Sequence, residues 1–416
     1  MNIAIVGAGI AGVATAYELA ADGHAVTVFE QRNATAEEAS FAPGGLLAPA
    51  GLDPWALPGA WGSTRWWGRQ APLRLGRAVT LSELSWLRRW RRNARTAQRA
   101  ATAPAAWAEL LQWARYSQAC LLERARQLDL AFEHGTGALV LLRSAHDAAA
   151  GARLLRALRE SGHTVHEVDA DAARRIEPGL APDLPLAAAW HLPDGMAGNC
   201  RQFALLLRQA AQRHGAQFEF GASIAQVQAS PPGVQVQGEA AVRRFDAVVL
   251  CTGAAAAPLL RPLGLRLPLV ALHGCTISAP LREALHGPQG VVTDAASGTS
   301  IARLGQRVRI AGGAELGCGA AAHPQTLHTL WRVLSECFPG AISHSAGVQV
   351  WRGARPMLPD GPPAVGASGV PGLWLNLGHG ASGWALACGS ARALADCIAG
   401  RTPALPMQAL EPARLV

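Results

Sequence analysis

The chain contains no lysine, so all 37 of its basic residues are arginine. A pyridoxal Schiff base and a Walker-type phosphate loop both require the ε-amine of lysine, and enzymes of those two classes are therefore excluded. The arginines give a formal charge of +8, but they are spread along the chain instead of forming a basic tail. The sequence therefore does not indicate a nucleic-acid-binding protein.

Metal-ligand spacing and long apolar segments are also missing. The eight cysteines include no C-x-x-C pair, so we expect free thiols and no metal site. The most apolar stretch, residues 247–260, is interrupted by Thr252, Gly253 and Pro258 and is shorter than the ~20 residues of a membrane-spanning helix. The chain opens on a strand pattern without a secretory signal, which predicts a cytoplasmic protein.

The first motif is a glycine-rich turn between a strand and a helix. Buried-strand patterns over residues 3–6 and 25–30 flank a helical pattern over residues 10–21, which predicts a βαβ unit. Gly7 permits the tight turn, Gly9 lets a pyrophosphate approach the backbone, and Gly12 lets the helix pack closely on the strand. The pattern therefore predicts a dinucleotide site at the N-terminus of the helix.

Glu30 lies at the end of the second strand, 18 residues beyond Gly12. Its carboxylate can accept hydrogen bonds from an adenosine ribose and would repel a 2′-phosphate. FAD or NAD is therefore favoured over NADP.

A further apolar strand pattern, residues 246–253, ends in a turn of small residues. This arrangement is typical of two-domain flavoproteins and therefore favours FAD. The alternative is that the strand belongs to the core and contacts no cofactor.

Residues 376–389 form a second glycine-rich crossing from strand to helix. The free N–H groups and the dipole of such a helix can hold negative charge, which reduced flavin carries. His379 lies in this turn and could act as a base. The adjacent glycines favour a positioning role, so we assign His379 to the cofactor.

Arg355 stands in a segment, residues 353–361, whose backbone is restricted by Pro356 and Pro359. A guanidinium held in one direction suits a carboxylate. The alternative for Arg355 is a surface ion pair.

Together these blocks resemble the FAD-linked D-amino acid oxidase superfamily, and in particular its bacterial D-amino acid dehydrogenase branch. The resemblance spans nearly the whole chain, and further matching segments are residues 54–59, 192–194, 309–315, 354–357 and 383–390. It implies an enzyme that binds FAD noncovalently and deaminates D-amino acids oxidatively to 2-oxo acids and ammonia. It also implies that hydride passes from the α-carbon to flavin N5 and that electrons go on to a quinone or a redox protein.

The resemblance implies a role for each candidate residue. Arg355 is the candidate catalytic residue, which binds the substrate carboxylate, and His273 and Arg303 are further substrate candidates. The residues expected to hold FAD are Gly7, Gly9, Ile10, Ala11, Gly12, Glu30, Gln31, Arg32, Gly44, Gly45, Leu46, Thr252, Gly253, Gly378, His379, Gly380, Ser382, Gly383 and Trp384.

The expected fold class is α/β, with a discontinuous Rossmann-like FAD-binding domain and an interleaved α+β substrate domain built on an antiparallel sheet. We assign residues 1–85, 191–262 and 346–416 to the FAD-binding domain. Residues 86–190 and 263–345 form the expected substrate domain.

Several features depart from the family pattern or leave alternatives open. Leu52 and the His273-Gly274-Cys275 run replace residues that relatives usually carry as tyrosine and Lys-Gly-Tyr. An enzyme acting on D-hydroxyproline, glycine, sarcosine or an opine, or an oxygen-using D-amino acid oxidase, therefore remains an alternative. The Trp- and Arg-rich stretch, residues 55–92, suggests peripheral contact with the inner face of the membrane, and burial in the core is the alternative.

Overall fold

A computed structural model describes residues 1–49, 51–61, 73–100, 103–319, 321–342 and 347–415. The strands are β1 (Asn2–Val6), β2 (Ala25–Glu30), β3 (Leu46–Ala48), β4 (Leu73–Leu75), β5 (His134–Leu142), β6 (His166–Val168), β7 (Ala188–Gly198), β8 (Gln217–Phe220), β9 (Ile224–Ala229), β10 (Pro232–Val236), β11 (Arg243–Arg244), β12 (Ala247–Leu250), β13 (Val270–Pro280), β14 (Val291–Asp294), β15 (Thr299–Leu304), β16 (Arg307–Leu316), β17 (Gln349–Met357), β18 (Ala364–Ala367) and β19 (Leu373–Leu377).

The α-helices are α1 (Ile10–Ala21), α2 (Leu81–Arg99), α3 (Ala105–Gln127), α4 (Ala145–Glu160), α5 (Ala170–Ile176), α6 (Cys200–Arg213), α7 (Ala256–Leu260), α8 (Pro324–Cys337) and α9 (Gly383–Ile398). Local chemistry fixes several of their starts. Thr80 and Glu83 form a capping box at α2, and Ser144 and Asp147 form another at α4, so orphan N–H groups of the first turn are satisfied.

A six-stranded sheet forms the nucleotide-binding half of the fold, with strand order β18-β19-β12-β1-β2-β8. Every neighbouring pair is parallel except β18 with β19. After β1 the chain crosses to β2, which pairs with β1 on one side, whereas β12 pairs with β1 on its other side. Ligands of such sheets bind at the carboxyl ends of the strands where the order reverses, which places the expected site beyond β1.

A ten-stranded sheet forms the other half, with order β17-β13-β16-β15-β14-β5-β7-β3 and with β4 and β6 added beside β16 and β7. The predicted antiparallel sheet is present, although β5/β14 and β4/β16 are parallel pairs. A small antiparallel sheet, β11-β10-β9, stands apart. The predicted α/β fold class with its Rossmann-like half is confirmed.

Strands from the predicted FAD-binding ranges cross into the second sheet. Residues 191–198 of β7 and residues 349–357 of β17 belong to the ten-stranded sheet. A long strand that passes from one unit to the other belongs to both, so the domain bounds stay a prediction. The sequence of residues 31–77 loses its apolar periodicity, which predicts a long ordered loop of the kind that often carries function. Within this range the structure adds the two short strands β3 and β4.

Buried side chains explain two further sequence features. Trp55, Trp61, Trp86 and Trp90 are buried, which supports the interpretation that the Trp-rich stretch belongs to the core. The other two tryptophans of that stretch, Trp66 and Trp67, lie outside the described residues.

All eight cysteines are free thiols, as predicted. Among the described helices, none has both the length and the apolarity needed to cross a membrane.

Candidate active site

One cavity of about 590 Å³ is lined by residues of both large sheets. The predicted site residues that line it are Gly7, Gly9, Ile10, Ala11, Glu30, Gln31, Gly44, Leu46, Thr252, Gly253, Arg355, Gly378, His379, Gly380, Gly383 and Trp384. These residues come from four distant parts of the chain. The fold therefore brings the glycine-rich turns and Arg355 to one cavity.

The first glycine turn is shaped by close backbone contacts. Gly7 has φ +102°, and a Cβ there would lie 2.7 Å from the carbonyl oxygen of Cys251. A Cβ on Gly12 would lie 1.9 Å from the carbonyl oxygen of Gly7. Because no side chain fits at either position, α1 packs directly against the end of β1 and its N-terminus faces the cavity.

Glu30 is buried at the end of β2 with both carboxylate oxygens engaged. The backbone N–H of Ala8 donates to Oε2 at 2.7 Å, and the backbone N–H of Arg32 donates to Oε1 at 2.8 Å. The carboxylate thus stays in one orientation while it lines the cavity. This fixed acceptor suits the ribose-binding role that the sequence predicts.

The second glycine turn leads from β19 into α9. Gly378 and Gly380 have φ +79° and +55°, and a Cβ on Gly380 would lie 2.7 Å from the sulfur of Met357. The N-terminus of α9 begins at Gly383, and Gly383 also lines the cavity. Two helix N-termini, those of α1 and α9, therefore contribute positive potential to the same cavity.

His379 is buried, and its Nε2 lies 3.1 Å from Oγ of Ser390. Burial lowers the pKa of His379 to about 4, so the imidazole is neutral near pH 7. A neutral ring held by a serine hydroxyl suits the positioning role better than that of an exposed base.

The depressed pKa of His379 makes stability depend on pH. Between the ordinary value of 6.5 and about 4, the unfolded chain binds a proton that the folded protein does not, so acidification favours unfolding. The stability lost as pH falls through this window is up to about 3 kcal/mol. The free energy of unfolding should therefore fall less steeply for His379→Gln than for the wild-type protein, and parallel curves would refute the assignment.

The cavity wall also carries buried polar atoms that lack protein partners. Within the described ranges, five residues of the cavity lining carry a buried polar atom without a hydrogen-bond partner: Thr252 (Oγ1), Thr293 (Oγ1), Trp351 (Nε1), Asn376 (Oδ1) and Trp384 (Nε1). Each unsatisfied buried group costs about 1–3 kcal/mol. A polar ligand with several donors and acceptors, such as a flavin nucleotide, would supply the missing partners, so the residues present fit FAD.

Arg355 projects from β17 into the cavity. Its Nη1 donates to the carbonyl oxygen of Gly313 at 2.8 Å, and its Nη2 lies 3.8 Å from Oδ2 of Asp53. The guanidinium rests against Gly274, where a Cβ would lie 2.7 Å from Nη2. Arg355 is thus held in place inside the cavity, and neither the surface position nor the strong ion pair of the alternative interpretation applies.

Some predicted residues lie outside the cavity lining. Gly12 packs under the first turn, and Gly45, Ser382 and the half-exposed Arg32 stand behind lining residues or beside them. His273 and Arg303 do not line the cavity with Arg355 either. The Arg303 Nε donates to the carbonyl oxygen of Gly305, while burial and the charge of Arg352 lower the pKa of His273.

Sequence reasoning missed other residues of the lining. Ser40, Asp53, Thr276 and Trp351 all line the cavity, and the backbone N–H of Ile10 donates to Oγ of Ser40 at 3.1 Å. Ser40 and Asp53 come from the long loop that the sequence marks as functional, but no local pattern distinguishes them there. Among the described residues, no group of three or more His, Cys, Asp or Glu side chains could hold a metal ion.

The fold and the cavity fit a protein that binds a flavin nucleotide, and comparison with known families identifies its class. The chain belongs to the family described as "DAO: FAD dependent oxidoreductase", whose model matches residues 2–397. The protein is therefore an FAD-dependent oxidoreductase, and FAD is its cofactor.

Individual relatives give a more specific comparison than the family model. D-amino acid dehydrogenases from two strains of Cereibacter sphaeroides are 37% identical to this chain over 415 residues, which covers 97% of this chain and 93% of each relative. Among solved structures, glycine oxidase from Geobacillus kaustophilus matches with a TM-score of 0.76 and 21% identity over 100% of this chain and 99% of that one. Iminodiacetate oxidase from Chelativorans sp. BNC1 matches with a TM-score of 0.73 and 22% identity over 99% of both chains. These two structures are similar in fold.

Proposed function

We propose that the protein deaminates D-amino acids oxidatively to 2-oxo acids and ammonia. The observation that carries the proposal is the position of Arg355, whose guanidinium lines the same cavity as the two glycine turns. A carboxylate is the natural partner of a planar, preoriented guanidinium. The relatives from Cereibacter sphaeroides, which are named for D-amino acids, support the D configuration.

The residues around the cavity would divide the work of binding. The turn at Gly7 and the carboxylate of Glu30 would hold the adenosine and pyrophosphate end of FAD, while the turn at Gly378 and the N-terminus of α9 would hold the flavin end. When bound, FAD supplies the acceptor for the hydride that leaves the substrate α-carbon. Arg355 fixes the substrate carboxylate and so orients that carbon, and positioning of this kind accounts for most of the catalysis.

A panel of amines tests the substrate assignment. Dye-coupled turnover under anaerobic conditions should be faster with D-alanine and other D-amino acids than with their L enantiomers, glycine, sarcosine or D-hydroxyproline. Faster turnover with glycine, sarcosine, D-hydroxyproline or an opine would instead assign the protein to one of the sibling amine oxidoreductases. We propose a quinone or redox protein as the electron acceptor, and stoichiometric hydrogen peroxide in air would replace that proposal with an oxidase.

We also propose that helix α2 makes peripheral contact with an anionic membrane surface. The tryptophans of this region that the structure describes are buried, so they cannot act as the anchor suggested by the sequence. The outer face of α2 instead carries five exposed arginines: Arg88, Arg89, Arg92, Arg95 and Arg99. Each basic residue near an anionic surface contributes about 1 kcal/mol to binding.

Vesicle sedimentation at low salt tests this contact. Changing Arg88, Arg89 and Arg92 to glutamine should weaken binding to vesicles that contain anionic lipid by about 100-fold, because roughly 3 kcal/mol of attraction is removed. The same change at Arg126, Arg213 and Arg261, which are exposed elsewhere, alters the net charge equally and should have little effect. If both triple variants lose vesicle binding equally, the net charge of the protein determines binding and helix α2 has no special role.

A further inference from the structure

Asp53 is an acidic side chain that shares the cavity with Arg355. Both residues line the cavity, and Oδ2 of Asp53 lies 3.8 Å from Nη2 of Arg355. At this distance the two charges attract each other but form no strong hydrogen bond. Side-chain exposures of 18% for Arg355 and 26% for Asp53 show that both side chains are partly accessible.

The position of Asp53 is fixed by its neighbours. The backbone N–H of Trp55 donates to Oδ1 of Asp53 at 2.9 Å, and the backbone N–H of Ala56 donates to its carbonyl oxygen at 3.0 Å. Trp55 is 2% exposed and packs on Trp90 with ring centroids 5.0 Å apart. Because one carboxylate oxygen is tied to the turn, the other, Oδ2, is the one that faces Arg355.

The two fixed charges impose a condition on any carboxylate that binds Arg355. The incoming anion is attracted by the guanidinium but lies within a few ångströms of a second carboxylate, which repels it. A substrate that also carries positive charge relieves this repulsion. A substrate with a second negative charge makes it worse.

An amino acid can carry its positive charge on the α-ammonium group or on the side chain, and the chemistry of the reaction distinguishes the two. The α-ammonium must lose its proton before hydride can leave the α-carbon, so a carboxylate that held it as ammonium would oppose the reaction. A cation on the substrate side chain carries no such penalty. We infer that Asp53 selects substrates by the charge of their side chain: it favours D-amino acids with a cationic side chain and disfavours those with an acidic one. This inference rests on the proposed function.

Two pairs of substrates of matched shape test it through kcat/KM for anaerobic flavin reduction. The wild-type protein should prefer D-lysine to D-norleucine and D-glutamine to D-glutamate. In Asp53→Asn, which keeps an acceptor for the N–H of Trp55, each ratio should fall about ten-fold, mainly through KM. Asp53→Glu should keep the order of preference. Glu167→Gln, which removes one exposed negative charge elsewhere, should leave both ratios unchanged.

Two outcomes overturn the inference. If Asp53→Asn slows all four substrates equally, the carboxylate acts on the α-amino group or on Arg355 and does not select side chains. If both ratios remain at their wild-type values, Asp53 does not sense charge at all.

A binding measurement separates failure of this inference from failure of the proposed function. Acetate, which carries one negative charge and cannot be deaminated, should perturb the flavin absorption spectrum at about ten-fold lower concentration in Asp53→Asn than in the wild-type protein. If no amino acid reduces the wild-type flavin, the proposed function fails, and the acetate titration still tests the charge of Asp53. Unchanged acetate affinity in the variant would contradict the inference alone.

Discussion

Replacing Arg355 with alanine is expected to lower kcat/KM for flavin reduction by D-amino acids while FAD stays bound. Removing one partner of a desolvated charge pair costs about 2 to 5 kcal/mol, which corresponds to roughly thirty-fold to several-thousand-fold in rate. Arg355 also lies beside Asp53, so the alanine variant leaves a carboxylate uncompensated at the proposed position of the substrate carboxylate. This adds to the loss.

Two comparisons make the Arg355 result specific. Arg355→Lys should restore only part of the rate, because an ammonium supplies a point charge without the planar fork that binds both carboxylate oxygens. Ethylamine, the decarboxylated counterpart of D-alanine, should lose little rate on mutation, since it has no carboxylate to bind. If anaerobic stopped-flow reduction shows equal losses for both substrates, Arg355 does not bind a carboxylate.

Gly12→Ala is expected to destabilise the nucleotide-binding half and to abolish tight FAD binding. Its Cβ would lie 1.9 Å from the carbonyl oxygen of Gly7, so α1 must move away from β1. Overpacking of this kind costs about 1 to 3 kcal/mol, and the turn that faces the cavity moves with the helix. Thermal unfolding of the apoprotein and an FAD titration measure the two effects.

Gly9→Ala is the matched control for Gly12→Ala. A Cβ on Gly9 would meet Oγ of Ser40 at 3.4 Å, which is close to an ordinary contact, so the apoprotein should unfold near the wild-type temperature. FAD binding should still weaken, because the added methyl group stands where the backbone of Gly9 faces the cavity. Wild-type stability and FAD affinity in Gly12→Ala would contradict the role assigned to this turn.

The sequence predicts the local parts of this fold well. Apolar spacing identifies β1, α1 and β2, and it also identifies β12, β19 and α9, because periodicity is a property of neighbouring residues. The glycines and Glu30 could be assigned because a tight turn, a close approach and a ribose acceptor require particular residue types at fixed spacing. The prediction for Arg355 rests on the prolines that follow it, Pro356 and Pro359, and on the resemblance of the chain to a known family.

Other features depend on contacts between distant residues. Residues 3–6 of β1 pair with residues 247–250 of β12, and no local pattern encodes that pairing. The pairing of Asp53 with Arg355 also depends on tertiary packing, because it forms only when β17 lies beside the loop that contains Asp53. The family resemblance implied His273 and Arg303 as substrate residues, but a resemblance in sequence does not tell which side chains reach a cavity formed by both sheets.

Anaerobic mixing of the FAD-loaded protein with D-alanine and, separately, with L-alanine shows whether the flavin accepts electrons from a D-amino acid. D-alanine should bleach the visible absorption of the bound flavin, and one pyruvate and one ammonia should form for each flavin reduced. L-alanine should leave the spectrum oxidised on the same time scale. Bleaching by L-alanine at an equal rate, or by neither enantiomer while a secondary amine reduces the flavin, would show that the protein is not a D-amino acid dehydrogenase.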